Sequence, residues 1–158
     1  MWRWYHRHMA HAPVPVENAS PLATEGPGLI LRLRATTAVE LRSAVRKGLP
    51  FSAFEAVSKQ LDISPQHITA VLGIPPRTVA RRKAARHLTP QESDRLYRLA
   101  RAVAQAVEVL GTIEKARGWL KAPNRALGGD TPLELLDTDI GAHQVEEVLL
   151  RLNYGIFS

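Results

Sequence analysis

The sequence contains no cysteine among its 158 residues. Disulfides and thiolate metal sites are therefore excluded. A chain without thiols suits a reducing cytoplasm, and a cytoplasmic location is expected. No run of about 18 apolar residues occurs, so no membrane-spanning helix is expected. The first residues, MWRWYHRHMAHAP, are basic but lack an apolar segment, and do not read as a secretory signal. Walker and Rossmann glycine patterns are missing; Gly128-Gly129 follows a helix end, not a strand. No catalytic set assembles either. His67, His87 and His143 stand isolated, without the paired carboxylate a triad needs. Asp137 and Asp139 lie near His143, but carboxylates at a helix start are explained by the positive end of the helix dipole before any metal is invoked. The expectation is a protein that is not an enzyme, with no cofactor and no metal.

What is present begins with charge. The formal net charge is +6, and it is unevenly spread. Residues 1–101 carry 16 Lys/Arg against 7 Asp/Glu, whereas residues 102–158 carry 5 against 8. Such a split suggests a polyanion partner for the first part and a different partner for the second. The length fits one compact domain or two small ones.

Residues 1–27 read as a disordered basic tail, with Pro13, Pro15, Pro21 and Pro27 among Ala, Ser, Glu and Gly. His6, His8 and His11 cluster there without anything to fix a metal geometry. Trp2, Trp4 and Tyr5 fit stacking on nucleic acid, and equally a start codon placed too early with Met9 the true start. Leu29–Arg34 alternates after Leu29 and reads as a short strand or as coil leading into a helix. Thr37-Ala-Val-Glu40 is a capping box, followed by Ala38, Leu41 and Val45 on one apolar face and ended by Gly48. Ser52-Ala-Phe-Glu55 reads as a second box, with Phe54, Val57 and Leu61 behind it.

A helix-turn-helix pattern comes next. Ser64 caps, Pro65 opens, Ile68, Leu72 and Ile74 are core-type positions, Gly73 falls at the turn, and Val79 follows. The glycine lets the chain reverse while apolar residues on both sides lock the crossing angle. Thr69 departs mildly from the small Ala usual at that place, and Pro75-Pro76 replaces the usual Ser/Thr cap. On the second helix Arg77, Thr78 and Arg81 are expected to point away from Val79's core face toward base edges, with Arg82, Lys83 and Arg86 extending the positive surface to phosphates. Thr89-Pro-Gln-Glu92 is a third box, opening a long helix with Leu96, Leu99, Val103, Val107 and Leu110 at three- and four-residue steps. Arg95, Arg98 and Arg101 on its outer side fit either an extended DNA patch or a wet face. Gly111-Thr112 interrupts the helix and Ile113–Lys121 resumes it.

The stretch Trp119–Gly141, WLKAPNRALGGDTPLELLDTDIG, organises the remainder. Pro123 stops a helix, Asn124, Gly128 and Gly129 shape a tight connection, and Thr131-Pro132-Leu133-Glu134 restarts with a capping box. Val145, Val148, Leu149 and Leu152 then form the stripe of a last helix, leaving Glu146, Glu147 and Arg151 outside. Trp119-Leu120, Pro123-Asn124, Ala126-Leu127-Gly128-Gly129, Pro132, Leu135-Leu136, Thr138, Gly141, Val145, Leu149, Arg151 and Tyr154-Gly155 together resemble the toxin-binding domain of the Xre/MbcA/ParS antitoxins. A weaker resemblance to the Xre helix-turn-helix half extends back to about Pro50.

The resemblance implies an all-α protein: a helix-turn-helix DNA-binding half at 28–101 and a small helical toxin-binding half at 102–158, joined by the long helix. It implies a RES-domain toxin encoded next door as partner, acting on NAD by degrading it or transferring its ADP-ribose, and neutralised by covering of its active site. It further implies operator binding as a homodimer, with autoregulation of the operon. Trp119, Asn124, Leu127, Arg151, Asn153, Tyr154 and Gly155 are the candidate toxin contacts, since Trp, Tyr and Arg most often anchor interfaces. For Trp119 and Leu127, core burial stands slightly ahead. A plain transcription regulator whose carboxyl-terminal module only dimerises is the alternative.

Overall fold

The computed structural model describes residues 26–35 and 37–155, all of its regular elements helical. The readings for residues 1–25 fall outside that range. The helices are α1 (Pro27–Ile30), α2 (Ala38–Lys47), α3 (Phe51–Leu61), α4 (Pro65–Val71), α5 (Pro76–Ala85), α6 (Pro90–Leu110), α7 (Ile113–Lys121), α8 (Pro132–Leu135) and α9 (Asp139–Asn153), with one 3-10 turn at Arg125–Leu127. None is long and apolar enough to cross a membrane.

The 21-residue α6 is the axle, about 32 Å long at 1.5 Å per residue. Thr89 and Glu92 close its capping box, and Gly111 ends it in the left-handed region at φ 91°. Leu96, Leu99, Ala100, Val103, Ala106 and Val107 are buried along it. α1 and α2 lean on α6, and so do α7 and α9. The buried side chains accordingly form one continuous cluster from Ile30 to Leu149. A cut at residue 101 would divide α6 in mid-core.

Local departures from the sequence reading have identifiable causes. Leu29–Arg34 is neither strand nor plain coil: Pro27 opens the short α1, and Gln60 Nε2 donates to the carbonyl of Ile30 at its end. Ala38 is exposed, and Leu41 is the buried residue of α2. The box at Ser52–Glu55 does not form. The chain at Leu49–Pro50 pairs with His87–Leu88, Phe51 N–H donating to Arg86 O at 2.9 Å and Leu88 N–H to Leu49 O at 2.9 Å. That pairing starts α3 at Phe51 after Pro50, so Ser52 already lies inside the first turn. Leu49 N–H also donates to the buried Ser93 Oγ at 2.7 Å, tying the start of α3 to α6.

Candidate functional site

Two surfaces carry the candidate residues. The first is α4–turn–α5. Ser64 Oγ accepts from His67 N–H at 3.2 Å and Pro65 opens α4. Gly73 takes φ 60°, a left-handed conformation that a glycine adopts without strain. From α6, Arg95 Nη1 reaches the turn and donates to Leu72 O at 3.0 Å and Gly73 O at 3.4 Å. The guanidinium thus takes carbonyls left over where α4 ends. Thr69, in place of the usual Ala, is buried with its hydroxyl donating to Gln66 O at 2.7 Å, so its polar atom stays paired inside its own helix.

On α5, two expected contacts turn inward. Thr78 is buried, contrary to the expectation that it faces away from the core. With Pro75 as cap and Pro76 first, Thr78 becomes the third helical residue and its N–H donates to Pro75 O. Arg82 lies four residues on, hence on the same inner side. Its Nε donates to both Glu92 oxygens, at 3.0 and 2.8 Å, and Glu92 is itself buried. Arg82 is therefore a tether between α5 and α6. Arg77, Arg81, Lys83 and Arg86 remain exposed. Arg77 and Arg81 share one side of α5, with the small exposed Ala80 and Ala84 beside them. Lys83 lies 3.7 Å from Glu55, with both side chains largely in water. Arg95, Arg98 and Arg101 each have partners within the chain. Arg98 pairs with Asp94 at 3.4 Å and Asp139 at 3.5 Å, and Arg101 pairs with Glu146.

The second surface is built by α7 to α9. Asn124 Oδ1 accepts from Ala126 N–H at 2.9 Å, while its backbone pairs with Asp130 and Gly129. Gly128 and Gly129 sit at φ 74° and 98°, closing the loop. Asn124 is thus engaged in shaping the loop. Leu127 is buried, and Trp119 is half-buried against the core. For Leu127 the candidate contact gives way to core packing. The Thr131 side chain and then its backbone donate to Glu134, holding that carboxyl below its usual pKa. Arg151, Asn153, Tyr154 and Gly155 are all exposed at the end of α9. Arg151 Nη2 approaches Glu147 at 3.9 Å. Asp139 is ion-paired with Arg98, and His143 Nε2 lies 3.7 Å from Glu147. Among the described residues no group of three metal-type ligands assembles.

Sequence reasoning missed the cations that join α7 to α3. Arg117 donates twice to Gln60 O, at 3.0 and 2.8 Å, and Lys121 Nζ donates to Asp62 O at 2.6 Å. Both cover carbonyls at the end of α3, where cations are favoured. The near one-turn spacing of Arg95, Arg98 and Arg101 was visible, but apart from Asp94 their partners lie 22 to 45 residues away in sequence.

Residues 40–101 match the antitoxin Xre-like helix-turn-helix domain, and residues 105–155 match the antitoxin Xre/MbcA/ParS C-terminal toxin-binding domain. An antitoxin Xre of Yersinia enterocolitica is 30% identical over 151 residues, covering 94% of this chain and 99% of that protein. An antitoxin Xre of Pseudomonas putida is 43% identical over 83 residues, 52% of each chain. A Prs ADP-ribosylating antitoxin of Sphingobium is 26% identical over 130 residues, 76% of this chain and 82% of that one. Among solved structures, a chain of the M. tuberculosis MbcT–MbcA toxin–antitoxin complex superposes with a TM-score of 0.51 at 26% identity, covering 75% of this chain and 97% of that one. A helix-turn-helix half continued into a toxin-binding half defines an antitoxin of a toxin–antitoxin system, whose partner is a toxin and whose family is not one of enzymes. The chain belongs to the Xre antitoxin family, of the Xre/MbcA/ParS type.

Proposed function

We propose that the chain neutralises a RES-domain toxin that degrades NAD or transfers its ADP-ribose, by covering that toxin's active site with the module at 102–158. The observation that carries this reading is the exposed end of α9, where Arg151, Asn153 and Tyr154 project within the span matched by the toxin-binding domain. An inhibitor of this kind needs shape and a few anchors, and Arg and Tyr are the side chains that most often supply them. The name of the Sphingobium relative, an ADP-ribosylating antitoxin, fits a toxin of NAD chemistry. An acidic module is also electrostatically suited to a site that receives an anionic dinucleotide.

Neutralisation is tested by co-expression with the product of the adjacent open reading frame. Growth and cellular NAD are expected to collapse with that product alone and to recover with this chain. The paired substitution Arg151→Ala and Tyr154→Ala is expected to weaken the complex by at least 2 kcal/mol, the hot-spot range, with unchanged circular dichroism. A chain that fails to restore NAD overturns the reading.

The same proposal holds that α5 reads an operator, as one half of a homodimer. Arg77 and Arg81 supply base contacts, Lys83 and Arg86 phosphate contacts, while Thr78 and Arg82 hold the helix. Arg77→Ala and Arg81→Ala are each expected to cost about 1–3 kcal/mol of operator discrimination. Fluorescence anisotropy at fixed salt against operator and scrambled duplexes measures it. Equal binding of wild type and both variants removes α5 from the DNA interface.

A further inference from the structure

The outer side of α9 carries more than its carboxyl end. Ile140 is 78% exposed, Leu150 50% and Tyr154 69%, and they are three of the five large apolar side chains that stand out in water among the described residues. At 3.6 residues per turn, Ile140, His143, Glu147, Leu150, Arg151 and Tyr154 all fall within about 100° of the helix circumference. Val145, Val148, Leu149 and Leu152 occupy the opposite side, against the core. The outward stripe is therefore apolar at both ends and charged between them, where Glu147 lies 3.7 Å from His143 and 3.9 Å from Arg151. Singly exposed apolar residues need no explanation, but their alignment on one helix side does.

We infer that the toxin seats along the full length of α9, with Ile140 as a second anchor far from the Arg151–Tyr154 end. This rests on the reading that the module binds a toxin. The fourteen helical steps from Ile140 to Tyr154 span about 21 Å. Apolar anchors at the two ends, with a paired carboxylate between, give one rigid helix two points of grip and so fix the direction in which a partner lies across it. Two observations favour the toxin as occupant over a second copy. The stripe is continuous with the exposed Arg151, Asn153 and Tyr154 in the toxin-binding span. Its footprint, about 21 Å by about 11 Å for one helix, is roughly a quarter to a third of the ~800 Å² per partner of a standard interface. A second copy meeting on this stripe alone falls short of a stable interface. Ile140 sits one residue past Asp139, which Arg98 of α6 holds at 3.5 Å, so the anchor stands on a braced turn. No RES-type chemistry is needed of Ile140 itself; it positions the inhibitor.

The test uses the full chain and the purified product of the adjacent open reading frame, in calorimetry and in an assay of NAD consumption. Ile140→Glu is expected to raise the Kd at least tenfold, and Leu150→Glu to do the same, both with unaltered thermal unfolding because the side chains are exposed. Val39→Glu, at an apolar residue 66% exposed on α2, is the control and should bind as wild type. Wild-type affinity for Ile140→Glu overturns the inference while leaving the neutralisation reading intact. If sedimentation shows Ile140→Glu breaking a dimer and toxin binding persists, the stripe joins two copies and the inference is also overturned. Failure of the wild-type chain to bind at all overturns both.

Discussion

Replacing Gly141 by alanine is expected to destabilise the protein by about 2 kcal/mol or more, against the helix propensity of the new residue. Gly141 is the third helical residue of α9, its N–H donating to Thr138 Oγ1 at 3.1 Å. It is buried, and a Cβ placed there would fall on the Leu135 carbonyl oxygen, with the carbonyl carbon at 2.8 Å and the Leu135 Cβ at 3.0 Å. The obstacle is backbone, and it belongs to α8, whose own start is fixed by the Thr131–Glu134 capping box. α9 must therefore move off α8, opening the packing around Leu133, Leu136 and Val145. Alanine in a helix otherwise gains about 1 kcal/mol over glycine, so the clash has to exceed that gain to show. Gly118 supplies the contrast: within α7, with nothing within 4 Å of a built Cβ, Gly118→Ala should raise stability by up to about 1 kcal/mol. For a chain of this size about 2 kcal/mol corresponds to a fall in Tm of roughly 4–8 °C. Thermal unfolding of the two variants measures both effects, and toxin capture by Gly141→Ala should fall with its stability, because α9 carries the proposed anchors. A Gly141→Ala protein as stable as wild type would mean α8 and α9 do not approach as closely as described.

Much of this architecture is legible in the order of residues because its punctuation is local. Thr37, Thr89 and Thr131 each find a Glu three residues on, and each pair closes as a capping box. Gly48, Gly73 and Gly111 stand where the chain needs positive φ. The same logic misleads at Ser52, since a box also needs a free helix start, and that start was already fixed by Leu49–Pro50 pairing with His87–Leu88. Surface assignments were harder. Arg77, Arg81 and Arg82 look alike in sequence, and only the distant Glu92 separates the third from the others. Arg98 and Arg101 likewise read as a wet or DNA-facing side until α9 brings Asp139 and Glu146 against them. Leu127 and Trp119 carried the resemblance as strongly as Arg151, yet a motif match does not distinguish residues that build a surface from residues that offer it.

Glu92→Ala is the second large effect, and it should separate toxin binding from the proposed operator binding. Glu92 performs three tasks at once. Its carboxylate accepts from Arg82 Nε and from Thr89 N–H at 2.8 Å, and its backbone N–H donates to Thr89 Oγ1 at 3.2 Å. Its side chain is 11% exposed and that of Arg82 20%, so removing the carboxylate strands a cation largely out of water. Breaking such a pair from one side costs about 3–5 kcal/mol. The loss falls where α5 meets α6, far in sequence from α9. Operator affinity is therefore expected to drop severely while toxin binding, measured at a temperature where the variant remains folded, changes little. Arg82→Met combined with Glu92→Met should recover part of the stability, since an apolar pair leaves no stranded charge. A double-mutant cycle isolates the coupling, expected in the range of 0.5–3 kcal/mol for neighbours of this kind. Should Glu92→Ala weaken toxin and operator binding equally, the single core along α6 transmits the damage and the two halves act as one cooperative unit. Should it weaken neither, the Arg82–Glu92 tether does not hold α5, which is positioned by Thr78, Val79 and the Arg95-braced turn alone.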